Sequence, residues 1–146
     1  MTVLDAYAVL ALLKGEAAAP LVRQLFAQES DAALTPLGVA EVLDHLVRLE
    51  GATDEDAALD LAQLGLVDPA PLDAALAMRA GLLRARHYDR KRRAVSLADC
   101  VAAETARSAG MPVASADPHL LDLCHDEAID VVVLPDSQGR TWTAAS

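Results

Sequence analysis

Aromatic residues are scarce in this chain, with one Phe, one Trp and two Tyr among 146 residues. Cores of all-β sandwiches and barrels lean on aromatic and β-branched side chains, so that architecture is disfavoured. Cysteine is sparse too. Cys100 and Cys124 are too few for a disulfide framework and suit a reducing compartment. No stretch approaches the roughly 18 uninterrupted apolar residues that a membrane span requires. The opening residues Met1-Thr2-Val3-Leu4-Asp5 contain neither a basic start nor an apolar signal core. The expectation is a cytoplasmic protein with no membrane partner. Several enzyme signatures are missing as well: there is no G-x-x-x-x-G-K-[ST] phosphate loop, no G-x-G-x-x-G turn and no G-x-S-x-G elbow. Asp5-Ala6-Tyr7 lacks the second Asp expected of a phosphatase with an aspartyl nucleophile.

What is present is an apolar content of 53%, carried largely by Ala and Leu. That composition supports a core and favours helices. The length is that of one ordinary domain, taken as residues 1–146 with a core over about 2–135 and a tail over 136–146. Twelve Lys and Arg against twenty-two Asp and Glu give a net charge of -10, which argues against a protein that passively coats nucleic acid. The charge is unevenly spread. From Arg84 to Arg93 the chain reads RARHYDRKRR, a cationic segment on an otherwise anionic body.

Short apolar runs alternate with helical stretches. Strands are expected at Thr2–Leu4, Ala32–Thr35, Leu66–Val67, Pro112–Ser115 and Val131–Leu134, about five in all. Helices are expected from Ala6 to Gly15, Pro20 to Gln28, Pro36 to Gly51, Thr53 to Leu64, Pro71 to Arg86 and Ser96 to Gly110, with a short one opening at Asp117-Pro118. Apolar strands separated by helices predict a parallel sheet covered on both faces, a three-layer α/β/α domain. In such sheets functional groups gather at the carboxyl edge, at a switch in strand order.

Four acids are candidates for chemistry, and each also has a structural reading. Asp5 and Asp117 each end a predicted strand and precede a helix, where an Asp caps free backbone N–H groups. Asp99 stands three residues after Ser96, a capping-box pattern. Glu41 shares the polar stripe of its helix with Asp44, His45 and Arg48. If the acids at the strand ends face one crevice they repel one another, by roughly 4 kcal/mol for two carboxylates about 4 Å apart at an effective dielectric of 20. Such a cluster implies either held protons or a divalent cation among the acids. All-oxygen ligands favour Mg²⁺ or Mn²⁺ over zinc.

The segments VLDAYAVLALL, TPLGVAEVLDHL, SLADCVAAETARSAG and PVASADPHLLDL, in this order, resemble the PIN-domain ribonucleases, and within them the VapC-type toxins of toxin–antitoxin pairs. The resemblance runs from Val3 to about Pro135. It implies a Mg²⁺-dependent (or Mn²⁺-dependent) endoribonuclease in which Asp5, Glu41, Asp99 and Asp117 form the catalytic and metal site. Asp5 and Asp99 would be direct ligands, with Glu41 and Asp117 completing the site. The implied reaction is in-line attack of an activated water on an RNA phosphodiester, with no histidine base. The implied partners are an RNA substrate, a VapB-like antitoxin and a second copy of the chain. The family often has Ser or Thr two residues after its first Asp, where this chain has Tyr7; Ser115 keeps the small hydroxyl residue common before the last Asp.

Arg84, Arg86, Arg90, Lys91, Arg92 and Arg93 would then guide RNA phosphates to the acidic site or meet an antitoxin, the bland alternative being a solvated loop. His119, Cys124 and His125 match no zinc spacing. Asp122 and Asp136 are expected in solvent, and Trp142 either packs back on the domain or meets a partner. The rival to the nuclease reading is a non-catalytic α/β interaction module whose acids are helix caps.

Overall fold

The computed structural model describes residues 1–27, 31–68 and 71–145. Among these residues four strands, β1 (Thr2–Leu4), β2 (Ala32–Leu34), β3 (Val113–Ser115) and β4 (Val131–Val133), form one parallel sheet in the order β2-β1-β3-β4. Thr2 pairs with Ala32, Leu4 with Ala114, and Ser115 with Val133. The sheet is one strand smaller than expected. Leu66-Val67 contributes only a single parallel bridge, Val67 opposite Ala33, because Gly65 turns the chain immediately before it.

Among the described residues seven helices cover the sheet: α1 (Ala6–Lys14), α2 (Ala19–Ala27), α3 (Pro36–Arg48), α4 (Asp54–Ala62), α5 (Ala74–His87), α6 (Leu97–Ala109) and α7 (Pro118–Asp126). Alternation along the strands sorts the core into two layers. Val3, Val113 and Val131 face Leu76, Leu83, Cys100 and Leu120 of α5, α6 and α7. Leu4, Ala114 and Val132 face Val9, Val22, Val42 and Ala57 of α1 to α4. The three-layer α/β/α arrangement predicted from the sequence is the one observed.

Most helix starts follow from local chemistry. Asp5, Thr35, Thr53, Asp73, Ser96 and Asp117 each cap a helix by accepting a backbone N–H. Helix α5 begins three residues later than expected, since Asp73 takes the Leu76 N–H at 2.9 Å and leaves Pro71 outside the helix. The expected last residue of α2, Gln28, lies outside the described residues, as does the final residue of the tail, Ser146. Gly38, in the first turn of α3, permits close seating on β2: a Cβ there would lie 2.5 Å from Leu34 Cδ1.

Because β2 and β3 flank β1 on opposite sides, the chain changes direction across the sheet between β1 and β3. The carboxyl ends of those two neighbours form the crevice in which α/β sheets bind ligands. Asp5 follows β1, while Ser115 ends β3 and Asp117 lies two residues beyond.

Candidate active site

Asp5 is 8% exposed and has both carboxylate oxygens engaged by the protein. Oδ1 accepts the Ala8 N–H at 2.9 Å, the cap expected from sequence. Oδ2 accepts the hydroxyl of Ser115, a wholly buried side chain on the neighbouring strand. The same Ser115 oxygen accepts the Asp117 N–H at 2.9 Å. Ser115 was visible in the sequence only as a small residue before an Asp; its link between two strand ends depends on the parallel register of β1 and β3.

Asp99 completes a capping box with Ser96: its Oδ2 accepts the Ser96 N–H at 2.9 Å, and Ser96 Oγ accepts the Asp99 N–H at 3.0 Å. Asp117 Oδ1 accepts the His119 N–H at 2.9 Å. Glu41 stands on the rim, more exposed than the other three, as its place on a polar stripe suggested. The fold nevertheless brings it to the same small cleft as Asp5 and Asp99, floored by Thr35, Gly38 and Ala102. The accessible space is about 10 Å³, near one water sphere.

The carboxylates feel one another. Burial, opposed by the bonds from Ser115 and Ala8, raises the Asp5 pKa to about 7, with the charges of Asp99 and Asp117 pushing the same way. Burial raises Asp99 too, reinforced by Asp117, while His119 works in the opposite direction. Glu41 is raised by partial burial and by Asp99. Among the described residues no Lys or Arg forms an ion pair with any of the four acids. As the side chains stand, no three His, Cys, Asp or Glu groups among the described residues converge tightly enough to coordinate an ion. The donor set is nonetheless all oxygen, crowded and uncompensated by positive charge, which suits a hard divalent cation.

The cationic segment divides into inward and outward members. Arg84 Nε donates to the Val95 carbonyl at 2.9 Å, and its guanidinium lies 4.2 Å from the Tyr88 ring centre. Arg86 sits 3.8 Å from Glu127. Arg93 pairs with Asp126 at 3.0 Å and approaches His87 Nδ1 at 3.2 Å. Arg84 and Arg93 serve the fold, whereas the Arg86 side chain is 57% exposed and reaches Glu127 from the surface. Arg90, Lys91 and Arg92 are exposed at the tip of a hairpin closed by paired backbone bonds between Asp89 and Arg93, which sequence reading did not foresee. Asp89 Oδ1 accepts the N–H groups of Lys91 and Arg92, each at 2.9 Å. His119 Nδ1 lies 3.1 Å from the Arg92 carbonyl, tying the tip to the first turn of α7 beside Asp117.

The remaining candidates fall away from the acids. Cys124 is buried, its thiol pushed up to about 12 by burial, and His125 stacks edge-on to Trp142. His119, Cys124 and His125 therefore serve three different environments. Asp122 and Asp136 are half-buried and bonded rather than free in solvent: Asp122 accepts from the Trp142 indole at 2.8 Å, and Asp136 accepts the N–H groups of Gln138 and Arg140. Tyr7 donates its hydroxyl to the Pro135 carbonyl at 2.9 Å, so it fastens α1 to the end of β4 instead of contacting the acids.

Solved structures share this architecture. The Mycobacterium tuberculosis toxin VapC20, described as cleaving the sarcin–ricin loop, is 21% identical and superposes with a TM-score of 0.62 over 77% of this chain and 87% of its own. VapBC2 of Rickettsia felis, bound to a promoter DNA fragment, is 13% identical with a TM-score of 0.64, covering 90% and 96%. FitAcB of Neisseria gonorrhoeae is 17% identical with a TM-score of 0.63 over the same shares. Among curated proteins none matches the sequence significantly. The sequence model of the PIN domain matches residues 2–126, and with the fold agreeing, the chain belongs to the PIN domain family.

Proposed function

We propose that this protein is a divalent-metal-dependent endoribonuclease and the toxin of a type II toxin–antitoxin pair. The observation that carries the reading is Asp5: a carboxylate buried at the switch point, electrostatically coupled to Asp99 and Asp117, with no Lys or Arg among the described residues paired to it. Family membership and the likeness to VapC20, VapBC2 and FitAcB supply the nucleic-acid and antitoxin context.

Asp5, Glu41, Asp99 and Asp117 are the residues that would hold Mg²⁺ or Mn²⁺. A cation bound there neutralises charge on a phosphodiester and lowers the pKa of water. The chain's own groups prepare for that load. Ser115 and the Ala8 N–H restrain Asp5, Ser96 restrains Asp99, and the His119 N–H restrains Asp117, so the fold sets the orientation of three carboxylates. Glu41, from α3, lines the cleft from its rim. Arg90, Lys91 and Arg92 would bind backbone phosphates and draw RNA to a site that otherwise repels it.

A VapB-like antitoxin and a second copy of the chain are the proposed partners. Met78 and Leu82, exposed one turn apart on α5, support association there. The working unit is taken to be residues 1–146 as one domain, acting in the cytoplasm; no helix among the described residues is long and apolar enough to cross a membrane.

A second reading has its own support. Asp5, Asp99 and Asp117 all cap helices, as a non-catalytic interaction module would need. Against it, a cap as deeply buried as Asp5 is costly, and Glu41 caps nothing. The deciding assay is cleavage of RNA with Mg²⁺ or Mn²⁺, repeated with EDTA and with Asp5→Asn. Cleavage lost in both controls is expected; cleavage surviving both rejects the mechanism.

A further inference from the structure

The chain beyond β4 lies outside the residues matched by the family model, yet it is built against the acidic edge. Asp136 closes a turn by bonding its backbone N–H to the Arg140 carbonyl at 2.8 Å, and Gly139 supplies the left-handed residue, φ 81°, that the turn needs. The turn delivers Trp142 to α7. Its indole N–H donates to Asp122 at 2.8 Å, and its ring meets His125 edge-on at 6.2 Å. The indole is held at its polar tip by Asp122 and packed against the His125 ring.

Trp142 is not swallowed by the core. It forms a wall between two open cavities, one of about 340 Å³ towards Ile129 and Asp130, and one of about 170 Å³ towards the site. The second is lined by Ala116, Pro118, Asp136, Arg140, Thr141 and Trp142. Ala116 and Pro118 are the chain neighbours of Asp117, so this cavity lies at the turn that carries that acid.

We propose that the cavity beside Asp117 seats one unpaired nucleobase of the RNA, with Trp142 as its stacking platform. The inference rests on the ribonuclease reading and adds a subsite that determines which nucleotide lies next to the cut. The chemistry matches a base on each side. Ala116, Pro118 and the indole offer apolar surface to a flat ring. Arg140 and Thr141 offer donors, and Asp136 an acceptor, to the polar edge. The Arg140 side chain is 73% exposed although paired with Asp136 at 3.1 Å, so its remaining N–H groups stay available. The hairpin carrying Arg90 to Arg92 also meets the first turn of α7, through His119. Phosphate contacts and base contacts thus converge on the turn that bears Asp117.

Trp142 is the only tryptophan, so intrinsic emission reports this site alone. The full-length Asp5→Asn chain is titrated with short single-stranded RNA oligomers and with an abasic oligomer of equal length, binding being followed independently by anisotropy of labelled RNA. Saturable quenching by the base-bearing RNA and not by the abasic one is expected. Trp142→Ala should weaken binding roughly tenfold, while Trp142→Phe retains most of it. In an otherwise wild-type chain Trp142→Ala should also blur the base preference at ends cut from a randomised RNA pool. Emission that does not move on titration, quenching equal for the abasic oligomer, or quenching by a protein partner alone overturns the proposal. If emission is unmoved while the wild-type chain cuts RNA, only the subsite falls. If RNA quenches selectively but is never cut, the nuclease reading falls and the base site stands.

Discussion

Ser115 and Asp5 are 110 residues apart in the chain and share a hydrogen bond in the core, with the Ser115 hydroxyl donating to Asp5 Oδ2 while its oxygen accepts the Asp117 N–H. One buried side chain therefore sets the spacing between the acids at the ends of β1 and β3. The bond also restrains Asp5 in its charged form, opposing the burial that drives its pKa up.

Ser115→Ala leaves an acceptor and a donor unpaired at this position. The expected loss is about 1–3 kcal/mol of stability, read from urea denaturation, together with a further rise in the Asp5 pKa. A variant as stable as the parent would mean that the linkage contributes nothing.

Asp5 also predicts a pH profile. Its folded pKa of about 7 exceeds the ordinary value of 3.8, so the folded state holds the proton more tightly. For a raised carboxylate, the stabilisation is full below about pH 4 and is lost as pH climbs towards 7. Without divalent cation, this group's contribution to stability should fall across that window and level off above it. Asp5→Asn should flatten the slope and raise the thermal midpoint at pH 8. Added Mg²⁺ or Mn²⁺ should stabilise the parent more at pH 8 than at pH 6, because the cation must displace the proton. Equal metal-linked shifts in parent and Asp5→Asn would place the cation elsewhere.

The hairpin offers a division of labour. Replacing Arg90, Lys91 and Arg92 together with Ala should lower the salt dependence of single-stranded RNA binding by about two units of log–log slope, at roughly 0.7 for each phosphate contact, with little change in stability. Arg84→Ala should do the reverse, destabilising the fold through loss of the Val95 carbonyl bond and the Tyr88 contact. Thermal midpoints and filter binding at several salt concentrations separate the two. A salt slope unmoved by the triple change removes the hairpin from RNA binding.

Gly38→Ala tests the seating of α3. The added methyl meets Leu34 Cδ1 at 2.5 Å and Cγ at 2.9 Å, so Leu34 or the helix must shift. Overpacking of about 1–3 kcal/mol outweighs the gain of about 1 kcal/mol from replacing a helical Gly. Cleavage should fall more than stability, since Glu41 rides on the same helix one turn later. Calorimetry beside a cleavage assay checks both.

Local signals were legible because local physics produced them. Thr35-Pro36 announces α3, and Ser96 with Asp99 announces α6, since capping engages residues within one turn. Strand 66–67 was over-read because two apolar residues after a Gly pair at only one position, and nothing local distinguishes a bridge from a strand. The segment 84–93 reads as one cationic block, yet Arg84 and Arg93 fold inward to Val95 and Asp126, and Arg86 pairs with Glu127 at the surface. Those partners lie on other elements, so charge counting along the chain cannot reveal the split.

The chain alone determined most helix starts, the alternation of short apolar strands with helices, and the three acids at helix starts, Asp5, Asp99 and Asp117, with Glu41 on a polar stripe, because capping and periodicity act over a few residues. Only the tertiary structure decided that Ser115 would hold Asp5, that His119 would hold the Arg92 carbonyl, and that Trp142 would share a cavity with Ala116 and Pro118. Each of those depends on the β2-β1-β3-β4 order and on side chains from distant segments meeting at one sheet edge, a geometry set by packing the whole core at once.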